Sequence, residues 1–163
     1  MAYTQEPNVS PAAIRLLFNY NSELGELSRK VNYGRGIVGT VINGDKVMIN
    51  GQSYATSRVI WCHYYGEWPP LDMFVDHKDR RHGLNRIDNL RLASPTQNQH
   101  NKAGSGQYAK GVTWRDRKIK PWQAKIRVNG DRLHLGSFET QEEAAEAYRQ
   151  AATKYHGEFA CLK

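Results

Sequence analysis

The chain has 163 residues, 39% hydrophobic and 24% charged, which is room for one ordinary globular domain or two small ones. No run of about 18 apolar residues occurs, so no membrane-spanning helix is expected. The opening MAYTQEPNVSPAAIRLLF lacks a basic leader ahead of an apolar core, so no signal peptide is expected either. Cys62 and Cys161 stand alone, far apart in the chain and outside any C-x-x-C pair. That argues against a thiolate zinc site and for two reduced thiols in a cytoplasmic protein.

The net charge is +7 and the pI about 9.5, a sign that favours polyanionic partners. The excess is not spread evenly. Residues 1–74 hold six Lys/Arg against six Asp/Glu, residues 75–110 seven against three, and residues 111–163 ten against seven. Residues 110–132 alone carry eight basic and two acidic side chains. The positive charge is therefore concentrated in the middle of the chain and in one short β-like stretch.

In chain order, residues 1–12, polar and carrying Pro7 and Pro11, read as a flexible tail. Residues 13–60 read as β-rich. Val41-Ile42 and Val47-Met48-Ile49 flank Asn43-Gly44, and Asn50-Gly51 precedes Ser53-Tyr54-Ala55. Both Asn-Gly pairs suit type I′ hairpin turns, so a three-strand meander is expected. Residues 57–66 are apolar and aromatic without a breaker and predict a short buried helix ending at Gly66. Trp68-Pro69-Pro70 makes a stiff turn into VDHKDRRHGLNRIDNLRLASPTQNQHN. Residues 101–107, small and polar, read as a linker.

Beyond the linker, Trp122, Ala124, Ile126 and Val128 alternate with Gln123, Lys125 and Arg127, and Arg132-Leu133-His134-Leu135 alternates after Asn129-Gly130. Paired strands with one cationic and one apolar face follow. Ala144, Ala147, Tyr148, Ala151, Ala152 and Tyr155 fall at helical spacing and supply the cover for the apolar face. Thr140 with Glu143 signals a capping box, and Gly157 a stop. Residues 108–163 thus form a β-β-β-α unit with its basic sheet face left open.

The chemistry concentrates at Asp76-His77, Asn85, Asn89 and Asn98. A carboxylate and amide oxygens suit a hard divalent cation, and an imidazole suits a general base; phosphodiester hydrolysis needs both. Adjacent strand residues point apart, so Asp76 and His77 converge on one phosphate only at a bend or bulge. A downstream helix carrying Asn98 could add a second oxygen.

The run DHKDRRHGLNRIDNLR, continuing into TQNQHN, resembles the HNH endonucleases of phage-encoded and homing type. Arg58-Val59-Ile60-Trp61 and Gly66-Glu67-Trp68-Pro69 extend the likeness upstream. The resemblance implies a ββα-metal fold with His77 as general base and Asp76 and Asn98 as ligands of one divalent cation, Mg²⁺ or Mn²⁺. It implies Asn89 as the central asparagine that braces the loop and orients His77, and Asn85 as support of the same turn. Arg58 and Arg91 become phosphate contacts or structural supports. Two departures stand out: Arg80 where the family usually has Gly in the hairpin turn, and Ser57 where it often has His. His63, His82, His100, His134 and His156 lie outside the motif frame and read as surface or packing residues. Among them His100 alone is near enough in sequence to compete with Asn98.

Residues 107–159 resemble the Apetala-two/ethylene-response DNA-binding domain. The matching words include Gly111-Val112-Thr113-Trp114, Leu135-Gly136-Ser137-Phe138 and Gly157-Glu158-Phe159. That family lays a three-stranded antiparallel sheet in the major groove. Arg115, Arg117, Lys125, Arg127 and Arg132 are then the contact candidates, with Trp114 through its ring. Trp122 is open between core packing and a DNA role.

The expected fold class is α+β: a small β-meander, a ββα-metal nuclease domain (13–100), then a three-stranded sheet on one helix (108–163). The expected function is a DNA endonuclease of a phage or mobile element, acting on double-stranded DNA in a bacterial cytoplasm. It would use one divalent cation, no small-molecule cofactor and no membrane, and leave 5′-phosphate and 3′-hydroxyl ends. The alternative is a non-catalytic DNA-binding protein with the nuclease fold as scaffold. Monomer and dimer, and homing, packaging or exclusion as the biological role, stay open.

Overall fold

The computed structural model describes residues 6–32, 34–81, 83–104 and 106–162. His82 and Ser105 lie outside the described residues, as does the start of the expected tail. The chain divides into two compact units, Met1–Thr96 and Gln97–Lys163. Helices and small antiparallel sheets alternate in an α+β arrangement. No helix among the described residues is long and apolar enough to cross a membrane.

The first unit opens with helix α1, Pro11–Leu17. Ser10 caps it, its side chain accepting from the Ala13 amide at 3.2 Å, and Pro11 takes the first helical position, where its missing N–H costs nothing. Residues 6–12 are correspondingly tied down rather than loose. Asn8 donates its amide to Tyr54 Oη at 2.9 Å, and Trp68 Nε1 donates to the Val9 carbonyl at 2.9 Å.

Strands β1 (Phe18–Asn21) and β2 (Glu26–Arg29) form one hairpin, β3 (Lys46–Ile49) and β4 (Gln52–Ala55) another. The expected meander is therefore two separate hairpins. Asn50 (φ 50°) and Gly51 (φ 77°) adopt the left-handed pair of their turn as expected, whereas neither Asn43 nor Gly44 has a positive φ. The reason is the partner of the preceding segment. Ile42 donates to the Leu27 carbonyl and Arg29 to the Thr40 carbonyl, so residues 40–42 run beside β2, not β3.

Helix α2, Thr56–Tyr65, ends at Gly66 in the left-handed conformation (φ 79°), as the sequence predicts. Its buried face, with Val59, Ile60 and Cys62, packs on Ile14, Phe18, Leu27, Ile49 and Leu90 to make the first core. Strands β5 (Phe74–His77) and β6 (Leu90–Ala93) form a third hairpin. Helix α3, Pro95–Asn101, straddles the division between the units.

In the second unit, β7 (Val112–Trp114), β8 (Trp122–Val128) and β9 (Asp131–Phe138) pair in the order β7-β8-β9. Helix α4, Gln141–His156, carries the full Thr140/Glu143 capping box. Ala144, Ala145, Ala151 and Ala152 bring it close to the sheet. Gly111 (φ 77°) shows how close: a Cβ there would lie 2.1 Å from Tyr148 Cδ2. A bulge leaves Leu135 between the pairs Ala124↔Gly136 and Lys125↔His134. Leu135 packs against both apolar clusters of the unit. Gln123, expected on the open face, is buried as well. Trp122 resolves toward packing, edge-on to Tyr108 at 5.0 Å.

Candidate active site and nucleic-acid interface

Hairpin β5–β6 places Asp76 opposite Arg91 and His77 opposite Leu90. Asp76, His77 and Arg91 are all buried. Asp76 Oδ2 accepts from Arg91 Nε at 3.0 Å, a buried ion pair across the hairpin. The pairing fixes the carboxylate's direction.

The segment between the strands is built by asparagines. Asn89 accepts from the Asp79 amide at 3.1 Å and donates to Asp79 Oδ1 at 2.9 Å and to the Leu84 carbonyl at 2.8 Å. The upward push of burial on the Asp79 carboxyl is outweighed by bonds from the Arg81 amide and Asn89, and its pKa sits below the ordinary value. Arg80 takes the left-handed conformation (φ 66°), realising with a side chain the turn that the resemblance associates with glycine.

His77 Nε2 lies 2.9 Å from Asn85 Oδ1. An amide oxygen only accepts, so this bond is made with the proton on Nε2. The Asn85 side chain thus reaches His77, while Asn89 bonds Asp79 and Leu84 of the loop. Asn85 is held in turn by Tyr20 of β1, whose hydroxyl donates to the Asn85 carbonyl at 2.8 Å. Burial, first among the causes, pushes the Tyr20 hydroxyl up to about 12, so it stays a donor at neutral pH. Gly25 (φ 73°) packs the β1–β2 turn on the same backbone, a Cβ there falling 2.6 Å from the Arg86 nitrogen. Neither Tyr20 nor Gly25 carries a local sequence signal for this support.

Of the two roles left open for Arg58, the structure shows the structural one. It is 3% exposed and donates to the carbonyls of Pro69 (2.6 Å), Met73 (3.0 Å) and Pro70 (3.3 Å), stapling the turn that leads into β5. Arg91 is likewise engaged within the fold. Asn98 sits half-buried on α3, beyond the division between the units. His100 stacks on His156 with centroids 3.5 Å apart and planes at 10°. Burial, then the charges of His156 and Lys110, lowers its pKa. His63 lies against the Phe18 carbonyl at 3.2 Å, and burial lowers its pKa too.

On the second unit, Lys125 faces His134 and Arg127 faces Arg132 across β8–β9. Like charges directly opposite on one sheet face are destabilising unless a polyanion lies over them. Arg115 and Arg117 are exposed in the β7–β8 connection, which the Arg115 amide closes on the Pro121 carbonyl at 2.8 Å. Trp114 pairs with Trp122, so the register sets it on the same side of the sheet as Trp122, where it is 46% exposed.

Residues 54–100 match the HNH endonuclease family model, and AP2-like factors match over a separate region. The chain therefore carries an HNH endonuclease-family domain and a C-terminal AP2-type domain. An uncharacterized HNH endonuclease of Acanthamoeba polyphaga mimivirus is 40% identical over 93 residues, covering 56% of this chain and 47% of the relative. Protein 3.8 of Escherichia phage T7 is 29% identical over 94 residues, covering 56% of this chain and 76% of the relative. An AP2-like ethylene-responsive transcription factor of Oryza sativa subsp. japonica is 54% identical over 56 residues, covering 33% of this chain and 8% of the factor. The chain thus spans about half the length of the mimivirus relative and under a tenth of the rice factor. No solved structure matches.

Proposed function

We propose that the protein is a metal-dependent DNA endonuclease in which the first unit cuts and the second reads. The observation that carries this is the buried β5–β6 hairpin, where Arg91 aims the Asp76 carboxylate and Asn85 fixes the His77 tautomer beside it. Nδ1 of His77 is the general base: it takes the proton of a water whose oxygen attacks phosphorus. The P–O3′ bond then breaks, leaving a 5′-phosphate and a 3′-hydroxyl.

Asp76, with Asn98 from α3, would hold one divalent cation, completing a ββα-metal arrangement. The donor chemistry fits: carboxylate and amide oxygens are hard ligands suited to Mg²⁺ or Mn²⁺. Such a cation relieves charge at the scissile phosphate and leaving oxygen when bound.

The reader is the face carrying Lys125, Arg127 and Arg132, flanked by Arg115 and Arg117, and its partner is double-stranded DNA. Arginine can bond guanine bidentately in the major groove, and each cation can neutralise a phosphate. The bounds of the two parts, 13–100 and 108–163, remain part of this reading, as does a phage or mobile-element setting.

A supercoiled-plasmid assay tests it. The wild-type chain nicks with Mg²⁺ and not with EDTA, and His77→Ala loses about 10²-fold or more of that activity. Equal nicking by wild type and His77→Ala would remove the histidine base from the mechanism.

A further inference from the structure

Four aromatic rings of the first unit touch one another in series, Tyr64 and Tyr65 exposed and Trp61 and Tyr20 half-buried with one side against the core. Trp61 and Tyr65, one turn apart on α2, have centroids 4.4 Å apart. Tyr65 meets Tyr64 edge-on at 5.0 Å, and Tyr64 meets Tyr20 edge-on at 6.4 Å. Tyr64 and Tyr65 are 49% and 50% exposed. The buried face of α2 uses Val59, Ile60 and Cys62, so the core does not account for these two tyrosines.

Positive charge lines the same place. Arg15 donates to the His63 carbonyl at 2.8 Å and to the Tyr64 carbonyl at 3.3 Å, capping the end of α2 that carries the rings. Lys30 donates to the Arg15 carbonyl at 3.5 Å. A second copy of the chain would set like charges against one another here, whereas a polyanion complements them. Exposed aromatics beside cations are the combination that holds bases by stacking and the backbone by charge.

The cluster is wired to the catalytic loop. Tyr20, its last ring, hydrogen-bonds the Asn85 backbone, and the Asn85 side chain holds His77. In a paired duplex each base face is covered by its neighbours, so only unstacked bases can offer a face to tyrosine rings.

We propose that Trp61, Tyr65, Tyr64 and Tyr20 form a stacking platform for unpaired bases of the strand engaged at His77. The preferred substrate class is then DNA with locally unpaired nucleotides. This rests on DNA being the substrate of the His77 site.

The test uses the full chain in EDTA, so that binding is read without cleavage. Two labelled duplexes share one sequence; one is fully paired and the other carries a short bulge containing 2-aminopurine. Wild type should quench the 2-aminopurine. Tyr64→Ala with Tyr65→Ala should bind the bulged duplex about tenfold or more weakly, with the paired duplex changed by less than about twofold. Tyr64→Phe with Tyr65→Phe should retain binding, because the ring and not the hydroxyl does the stacking. Circular dichroism checks that the variants fold, and the wild-type quenching stands without them.

An unquenched probe overturns the proposal, as does equal weakening on both duplexes. So does a wild-type dimer in sedimentation that the alanine variant turns monomeric, since a second copy would then cover the patch. Plasmid nicking without quenching removes this proposal and keeps the nuclease. Quenching without nicking leaves a surface that binds unpaired bases but removes its link to a cut at His77, and with it the substrate preference proposed here.

Discussion

At the scale of single residues, the two asparagines of the loop do different work, and the difference is measurable. Asn85 touches the imidazole, while Asn89 touches the loop that carries it. Asn85→Ala should leave the melting temperature nearly unchanged and lower nicking by roughly 10- to 100-fold, the size of effect seen when a supporting hydrogen bond is lost. Asn89→Ala should instead cost about 1–3 kcal/mol in denaturant unfolding, because the Leu84 carbonyl and Asp79 lose their shared partner. The reverse pattern would return the orienting role to Asn89. Asp76, His77 and the asparagines were legible because a hairpin and its turn lie within one short stretch of chain. Which asparagine reaches the ring was not legible. It depends on how the loop folds over β5, and that is set partly by Tyr20, 65 residues from Asn85 in the chain.

At the scale of elements, charge is uneven on the second unit. The sheet shows Lys125, Arg127 and Arg132, while a groove at the first turns of α4 is lined by Glu139, Glu142, Glu143 and Glu146 against Lys120 and Arg149. A polyanion is drawn to one side and repelled from the other, which orients approach as well as strengthening it. Arg127→Ala with Arg132→Ala should weaken duplex binding and reduce the slope of log affinity against log salt by about two. An unchanged slope in a salt titration would take both arginines out of the interface. Strand alternation and the capping box made β8, β9 and α4 readable from sequence. The bulge at Leu135 was not, since the alternation of residues 132–135 runs on without marking an extra residue. Helix α1 carried its signal, Ser10 followed by Pro11, but seven residues are too few for periodicity to outweigh the β-rich stretch after it. The meander failed because Asn-Gly fixes a turn only where both flanking segments pair with each other, and residues 40–42 pair with β2 instead.

At the scale of the molecule, three buried clusters are built from separate parts of the chain. The first joins residues between Val9 and Leu90; the others lie within the AP2-type part. Ile60 is fully buried in the first core, and Ile60→Ala should cost that unit about 2–5 kcal/mol. Calorimetry should show the transition of the first unit falling while that of the second holds. A single transition shifted as a whole would mean the units melt together. The α+β class was legible from the change of pattern near residue 107. The chain's division at Thr96 and Gln97 was not, because α3 runs through it without a break in composition.

The two cysteines give this arrangement an unexpected use. Cys62 lies buried in the first unit and Cys161 buried in the second. Burial pushes the Cys62 thiol up to about 12 against the pull of Arg15 and Arg58, so in the native state it is close to inert toward alkylation. A thiol reagent therefore reacts at each position only when the surrounding structure opens. The protein carries its own pair of clocks, one timing the opening of the first unit and the other that of the second. Peptide mapping of the labelled sites would read them separately in a single sample, with and without DNA.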